Sequence, residues 1–243
     1  VFGAVIAVRE AVGDRLMAGS NNTRHAYEQH NSRRVCYLSM EFLLGRSLRN
    51  AELNLGLDES LSQAINALGL DAEEIEAEEH DAGLGNGGLG RLSACFIDSC
   101  ATLQLPVIGY GIRYEFGIFD QVIRDGWQVE VTDKWLRLGN PWEIARPEVT
   151  FEVGFGGHTE VHREEDNDRV RWVPAQVVRG TAYDTPVPGC RNGTVNLLRL
   201  WKAEATESFD FQAFNLGDYE RAVEQKVASA SVIAPTCMEA DAV

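Results

Sequence analysis

The sequence has 243 residues, 44% hydrophobic and 24% charged, an ordinary balance for a globular chain long enough to bury a sizeable core. Its formal charge of −15 opposes docking on a nucleic-acid backbone or on anionic lipid, so neither partner is expected. Cys36, Cys95, Cys100, Cys190 and Cys237 are odd in number and form no C-x-x-C pair, which excludes a disulfide framework. Reduced, mostly buried thiols follow. With no basic leader and no apolar run of membrane length, the expectation is a cytoplasmic protein.

Residues 2–17 have a helical period. Ser20-Asn21-Asn22-Thr23 offers caps for a second helix carrying His25, Tyr27 and His30, with both histidines at the surface. Val35 to Met40 suggests a short buried strand. Glu41 then stands among apolar residues, either paired with an arginine for structure or placed at a site. Ala51 to Leu70 reads as one helix, with Leu53, Leu55, Leu57, Leu61, Ile65 and Leu68 as its apolar stripe. Gly69 marks its end and Asp71 caps a new helix start.

The segment Asp81–Leu92, DAGLGNGGLGRL, holds five glycines between Gly83 and Gly90 and runs into an apolar helical pattern. Such a cluster implies close backbone approach or unusual dihedrals. A glycine loop opening a helix also gathers free N–H groups and the positive end of the helix dipole, a ready anion site. Anion site and tight structural turn both fit the residues. The pattern G-x-G-x-x-G occurs twice, but an acidic, helix-like run precedes it where a dinucleotide fingerprint needs a hydrophobic strand.

Downstream, Val107 begins a strand-rich run whose glycines mark close packing, and Gln121 to Glu130 forms a hairpin turning at Asp125-Gly126. Trp127, Trp135 and Trp142 anchor an irregular connection. From Phe151 the pattern alternates as strands, with Glu164–Asp168 as a hairpin loop. His158, Glu160 and His162 share one face at period two. A polar solvent face explains them as well as a metal does, so no metal site is assigned. Tyr183 to Gly189 reads as a proline-rich turn before a strand ending at Trp201, and Asp218 to Ser229 as a helix. No repeat or linker divides the chain, which reads as one domain.

Taken together, the segments Tyr37–Asn50, Asp81–Ser99, Gly109–Phe119, Trp135–Glu148 and Tyr183–Trp201 resemble the α-glucan (glycogen, starch or maltodextrin) phosphorylase family. The likeness runs from about Arg34 to Lys226. It implies an α/β fold, the Rossmann-like N-terminal part of a two-domain glycosyltransferase-type (GT-B) architecture, incomplete here. It also implies a cytoplasmic enzyme that cleaves a terminal α-1,4 bond of a glucan with inorganic phosphate and releases glucose 1-phosphate. The family's cofactor is pyridoxal 5′-phosphate, used through its phosphate group, and its full-length members are expected to be homodimers. A non-catalytic glucan- or phosphate-binding remnant is the competing reading. A dehydrogenase rests on the glycine pattern alone.

On this resemblance Asn86, Gly87, Gly88 and Leu89 match the glycine loop that faces the phosphate and glucosyl site. Gly88 is a candidate contact for the cofactor phosphate, and Glu41 a site-lining candidate. The family's cofactor lysine and its phosphate-clamping lysine and arginine fall beyond residue 243, so the chain alone is expected to be inactive. Residues 1–243 are read as a partial N-terminal domain. The tail 230–243 departs from the family pattern, and with the start at Val1 it suggests a fragment ending in a frame shift or truncation.

Overall fold

The computed structural model describes residues 2–17, 23–164 and 167–205, with side chains for all of these except 15, 17, 162–164, 167 and 168. The elements begin with α1 (Phe2–Met17), α2 (Thr23–Gln29), β1 (Val35–Leu38) and β2 (Phe42–Gly45). Next come α3 (Leu48–Leu55), α4 (Asp58–Ala67), α5 (Ala72–Ala77), β3 (Ala82–Leu84) and α6 (Gly88–Thr102). Strands β4 (Val107–Ile112), β5 (Asp120–Arg124), β6 (Trp127–Val131) and β7 (Ile144–Phe155) follow. The described chain ends with β8 (His158–Glu164), β9 (Asn167–Val173), β10 (Gln176–Pro188) and β11 (Val195–Ala205). The fold is mixed α/β, and its five-stranded sheet has the order β1-β4-β11-β10-β7. Strand β1 pairs in parallel with β4, Val35 opposite Val107 and Leu38 opposite Tyr110.

Two compact units divide the described residues, and β10 and β11 contribute to both. The first unit takes the described residues up to Ala145 together with Tyr183–Leu200. Part of its core forms where Val5, Val8 and Val12 of α1 meet Leu48, Ala51 and Leu55 of α3, closed by Trp142 and Val195. The spacing of the three valines is that of one helix face. Another part forms over Gly109 of β4. A Cβ there would overlap Ile97 Cδ1 of α6 and crowd Leu198 Cδ1 of β11. Gly111 lies against the ring of Phe42 in the same way, so the glycines of this run are contact points between layers.

The second unit takes Arg146–Ala182 and the end of β11. Here β8 and β9 form an antiparallel hairpin, and the ring of Phe151 meets Trp201 edge-on at 5.7 Å. His158 Nε2 lies 3.4 Å from Glu160 Oε1, whereas the side chain of His162 is outside the described ones. No cluster of three or more ion-binding side chains occurs among the described residues, and no helix of theirs is long and apolar enough to cross a membrane.

Several expectations change in the structure. The helix expected over Ala51–Leu70 is two helices, because Gly56 takes φ +69° and ends α3. There Leu57 N–H bonds Glu52 O at 2.9 Å, a left-handed cap that the apolar spacing runs straight through. The second expected start is present: Asp71 Oδ1 accepts from Glu73 N–H at 2.8 Å. Strand β1 exists but is exposed, since it is the edge of the sheet among the described residues. Tyr183–Pro188 is strand, not turn, and only at Gly189 does the chain leave β10. Trp135 and Trp142 are buried as anchors, but Trp127 sits on the exposed β5–β6 hairpin. That hairpin turns as expected at Asp125-Gly126, both at positive φ. Cys36, Cys95, Cys100 and Cys190 are free, yet none is buried. The expected capping residues 20–22, the Asp218–Ser229 helix, Cys237 and the tail 230–243 lie outside the described residues.

One buried carboxylate ties distant segments together. Glu79 accepts from the N–H groups of Ser47 at 3.1 Å and Leu48 at 2.9 Å, and from Trp142 Nε1 at 2.7 Å. It caps the start of α3 from 31 residues away, where Ser47 makes no side-chain cap of its own. Glu79→Ala would strand three donors, at a cost of about 2–4 kcal/mol, whereas Glu79→Gln keeps an acceptor and loses less. Urea denaturation of the two variants reads that difference.

Leu89, Leu92 and Phe96 of α6, with Leu103 at its C-cap, stay exposed, as do Val35 and Leu38 of β1. The packing of Tyr37 against Phe96, at 6.2 Å between ring centroids, joins α6 to β1 on the face that Tyr37 shares with Val35. The isolated chain is therefore expected to self-associate. Sedimentation velocity should show larger species for the parent chain and a shift toward monomer for a Leu92→Lys, Leu103→Lys variant. A concentration-independent monomer in the parent would refute it.

Candidate functional site

The glycine segment forms the passage from β3 into α6. Strand β3 pairs antiparallel with β2, Phe42 opposite Leu84 and Leu43 opposite Gly83, in a two-stranded sheet of its own. A strand thus does precede the loop, against expectation. It has only three residues and lies outside the sheet that contains the parallel β1–β4 pair, so it does not provide the context of a dinucleotide fingerprint.

Four of the five glycines divide between two jobs. A Cβ on Gly85 would sit 3.1 Å from Glu41 Oε2, 3.2 Å from Leu43 Cβ and 3.3 Å from Glu41 Cβ. A Cβ on Gly90 would sit 3.0 Å from Glu41 Oε2 and 3.1 Å from both Cβ atoms. These two glycines let the loop and the first turn of α6 lie flush on β2 and the residue before it. Gly87 and Gly88 instead have nothing within 4 Å of the place a Cβ would take. Gly87 is the N-cap of α6 and supplies no side-chain hydrogen bond. Asn86, Gly87, Gly88 and Leu89 are all exposed. The helix start is open to anything that approaches, and its first N–H groups have no intrahelical acceptor.

Glu41 stands directly behind this opening. Its Oε2 accepts from the N–H of Asn86 at 3.2 Å. Its own backbone is held by Ser39, whose Oγ donates to Glu41 O at 2.8 Å and accepts from Glu41 N–H at 3.3 Å. Ser39 Oγ in turn lies 2.9 Å from Ser93 Oγ of α6. Arg91, also on α6, donates to the carbonyls of Leu43 at 3.3 Å and Leu44 at 3.1 Å. Every site residue singled out in the sequence therefore gathers in one place.

The far wall was missed in the sequence. Tyr114, Phe116 and Ile118 line a crevice of about 20 Å³ with Glu41, Gly85 and Asn86. Tyr114 OH donates to Met40 O at 3.1 Å, and Trp135 Nε1 donates to Tyr114 O at 3.2 Å. Asp133 fills the space over Gly117, where no side chain could stand. Gly117 between Phe116 and Ile118 was the available signal, since a glycine among large residues marks contact with another segment. Burial pushes the Asp133 carboxyl up, helped by nearby Asp120 and opposed by His80.

A second cavity of about 130 Å³ lies on another side of α6, between Asp98, Asn50, Arg91 and Trp142. Burial pushes the Asp98 carboxyl above the usual carboxylate range, against the pull of Arg91 and a hydrogen bond from Asn50. Folding thus disfavours its charged form. The cost is present above the raised pKa and vanishes below the unfolded value near 3.8. Asp98→Asn should stabilise the protein at neutral pH, with the gain fading as the pH falls toward 4. Thermal melts across that range check the sign.

The division among the glycines is testable in the same way. Gly90→Ala presses on Cβ atoms attached to backbone, which cannot swing aside, and should destabilise by about 1–3 kcal/mol. Gly88→Ala meets open space and should change stability by less than about 1 kcal/mol. Equal losses in denaturant unfolding would contradict the assignment.

Comparison with known proteins gives the family of the chain. A family model described as carbohydrate phosphorylase matches residues 65–235. A glycogen phosphorylase of Synechocystis sp. is 57% identical over 225 residues, which is 92% of this chain and 26% of that protein. The human brain and liver forms of glycogen phosphorylase are each 54% identical over 217 residues, 89% of this chain and 25% of theirs. The chain thus spans about a quarter of the length of these relatives. On the extent of the family match and the level of identity, the chain belongs to the carbohydrate phosphorylase family.

Proposed function

We propose that this chain is the N-terminal part of an α-1,4-glucan phosphorylase of the GT-B architecture, a glycosyltransferase that uses inorganic phosphate to release glucose 1-phosphate from glycogen or maltodextrin. Residues 1–243 form part of its N-terminal domain, with 230–243 an atypical tail. The observation that carries the reading is the uncapped start of α6, open at Gly87 and Gly88 and seated on β2 through Gly85 and Gly90. Unengaged N–H groups in such a place stabilise phosphate charge with no side chain in the way. In this reading Asn86, Gly87, Gly88 and Leu89 face phosphate and the terminal glucosyl unit, and Glu41 lines the site.

The same donors suit the phosphate of pyridoxal 5′-phosphate, which Gly88 would contact. When bound, that group supplies a phosphate able to give and take a proton. Its attachment lysine belongs to the part of the family outside this sequence, so the chain alone is inactive. The enzyme works in the cytoplasm, and in full length it is a homodimer.

The test is binding of inorganic phosphate and of glucose 1-phosphate, followed by amide shifts in NMR titrations. Binding on the order of millimolar, centred on 86–89 and lost in Gly88→Ala, is expected. No shift there with either ligand would sink the site assignment. Glucose 1-phosphate release from glycogen and phosphate by the purified chain would overturn the predicted inactivity.

A further inference from the structure

We infer that Glu41 is a positioning residue: its carboxylate fixes the backbone of the glycine loop, and it acts on the ligand only through that loop. The inference rests on the phosphate-binding reading above and deepens it. Four observations carry it. Glu41 Oε2 accepts from the Asn86 N–H at 3.2 Å, immediately before the N-cap of α6. Gly85 and Gly90, on either side of the open pair, are where a Cβ would collide with Glu41. The Glu41 backbone is pinned at both N–H and C=O by one hydroxyl, that of Ser39. That hydroxyl is tied to Ser93 on the same helix whose N-terminus the loop opens.

The loop is therefore held from one direction and free from the other. Glycines have no side chain with which to fix their own backbone, and their conformational freedom is the largest of any residue. An amide array made of glycines needs an outside acceptor to hold it, and Glu41 is placed as one. A carboxylate also weakens anion binding nearby, so its charge is not what the site requires of it. The requirement is reach: an acceptor oxygen at the end of a two-carbon side chain, with the volume of that side chain filling the gap left by Gly85 and Gly90.

Reach and charge are separable. Glu41→Gln keeps length, volume and an acceptor oxygen but removes the charge. Glu41→Asp keeps the charge but withdraws the acceptor by one methylene. Two readouts are made on the purified chain: hydrogen exchange of the Asn86 amide without ligand, and inorganic phosphate titration followed at 87–89. The positioning role requires Gln to leave Asn86 exchange within about twofold of the parent and to bind phosphate as well or better. It requires Asp to speed Asn86 exchange about tenfold and to weaken phosphate binding about fivefold or more, the loss of one hydrogen bond.

If Asp matches the parent while Gln fails, the charge matters and the inference is overturned. It is equally overturned if neither variant alters Asn86 exchange. Should the parent bind no phosphate at all, the phosphate reading falls, while the exchange measurement still decides whether Glu41 holds the loop. Glutamine and aspartate both retain most of the side chain, so a folded protein is expected from each, checked by circular dichroism.

Discussion

The first unit depends on backbone brought close to side chains where no Cβ intervenes. Gly85 and Gly90 admit Glu41 and Leu43, Gly109 admits Ile97, and Gly111 admits Phe42. Through these contacts α6 is pressed at once against the β2 region near its N-terminus and against β4 at Ile97. A helix held in two places has a fixed axis, and its N-terminal amides therefore point to a fixed spot. The candidate site is a consequence of that packing, which orients four exposed residues, two of them glycines.

A second tier of polar contacts holds the surroundings. Glu79 joins the start of α3 to Trp142, and Arg113 donates from Nε to Glu143 Oε2 at 2.8 Å while stacking on Tyr183 at 4.1 Å. Arg199 makes a paired contact with Asp184, at 2.7 and 2.9 Å, between the neighbouring strands β11 and β10. These are charged groups wholly or partly removed from water and satisfied by two or more hydrogen bonds each, the condition under which burial of charge is tolerated. They connect segments 15 to 70 positions apart in the chain. Trp135, through its bond to Tyr114 O, ties the irregular stretch around it to the wall of the site.

Much of this was legible. The valine spacing of α1, the Asp71 cap, the Asp125-Gly126 turn and the glycine-to-helix passage all follow from rules acting over a few residues. The sequence also singled out Glu41, and the structure puts its carboxylate on the Asn86 amide. What could not be read was mostly a matter of partners. Residues 183–188 contain two prolines and yet lie in β10, because pairing with neighbouring strands outweighs local turn preference. The apolar β1 is exposed because it has a neighbour on one side alone among the described residues, which no local pattern reveals. The Gly56 break escaped because a left-handed cap preserves the apolar spacing on both sides of it.

By itself the sequence determined that a glycine loop opens a helix, that a carboxylate stands among apolar residues upstream, and that the motifs are those of a phosphorylase. Dihedral freedom and helical period decide the first, and the hydrophobic pattern the second; the third is a likeness to a known family. Only the tertiary structure decided which glycines are spacers and which are open, since that depends on what lies on the other side of each Cα. It likewise decided that Glu41 meets the loop 45 positions later, that Glu79 caps α3, and that Tyr114 to Ile118 closes the crevice. Each of these is a meeting of residues far apart in the chain, and long-range packing, which no short window of sequence contains, brings them together.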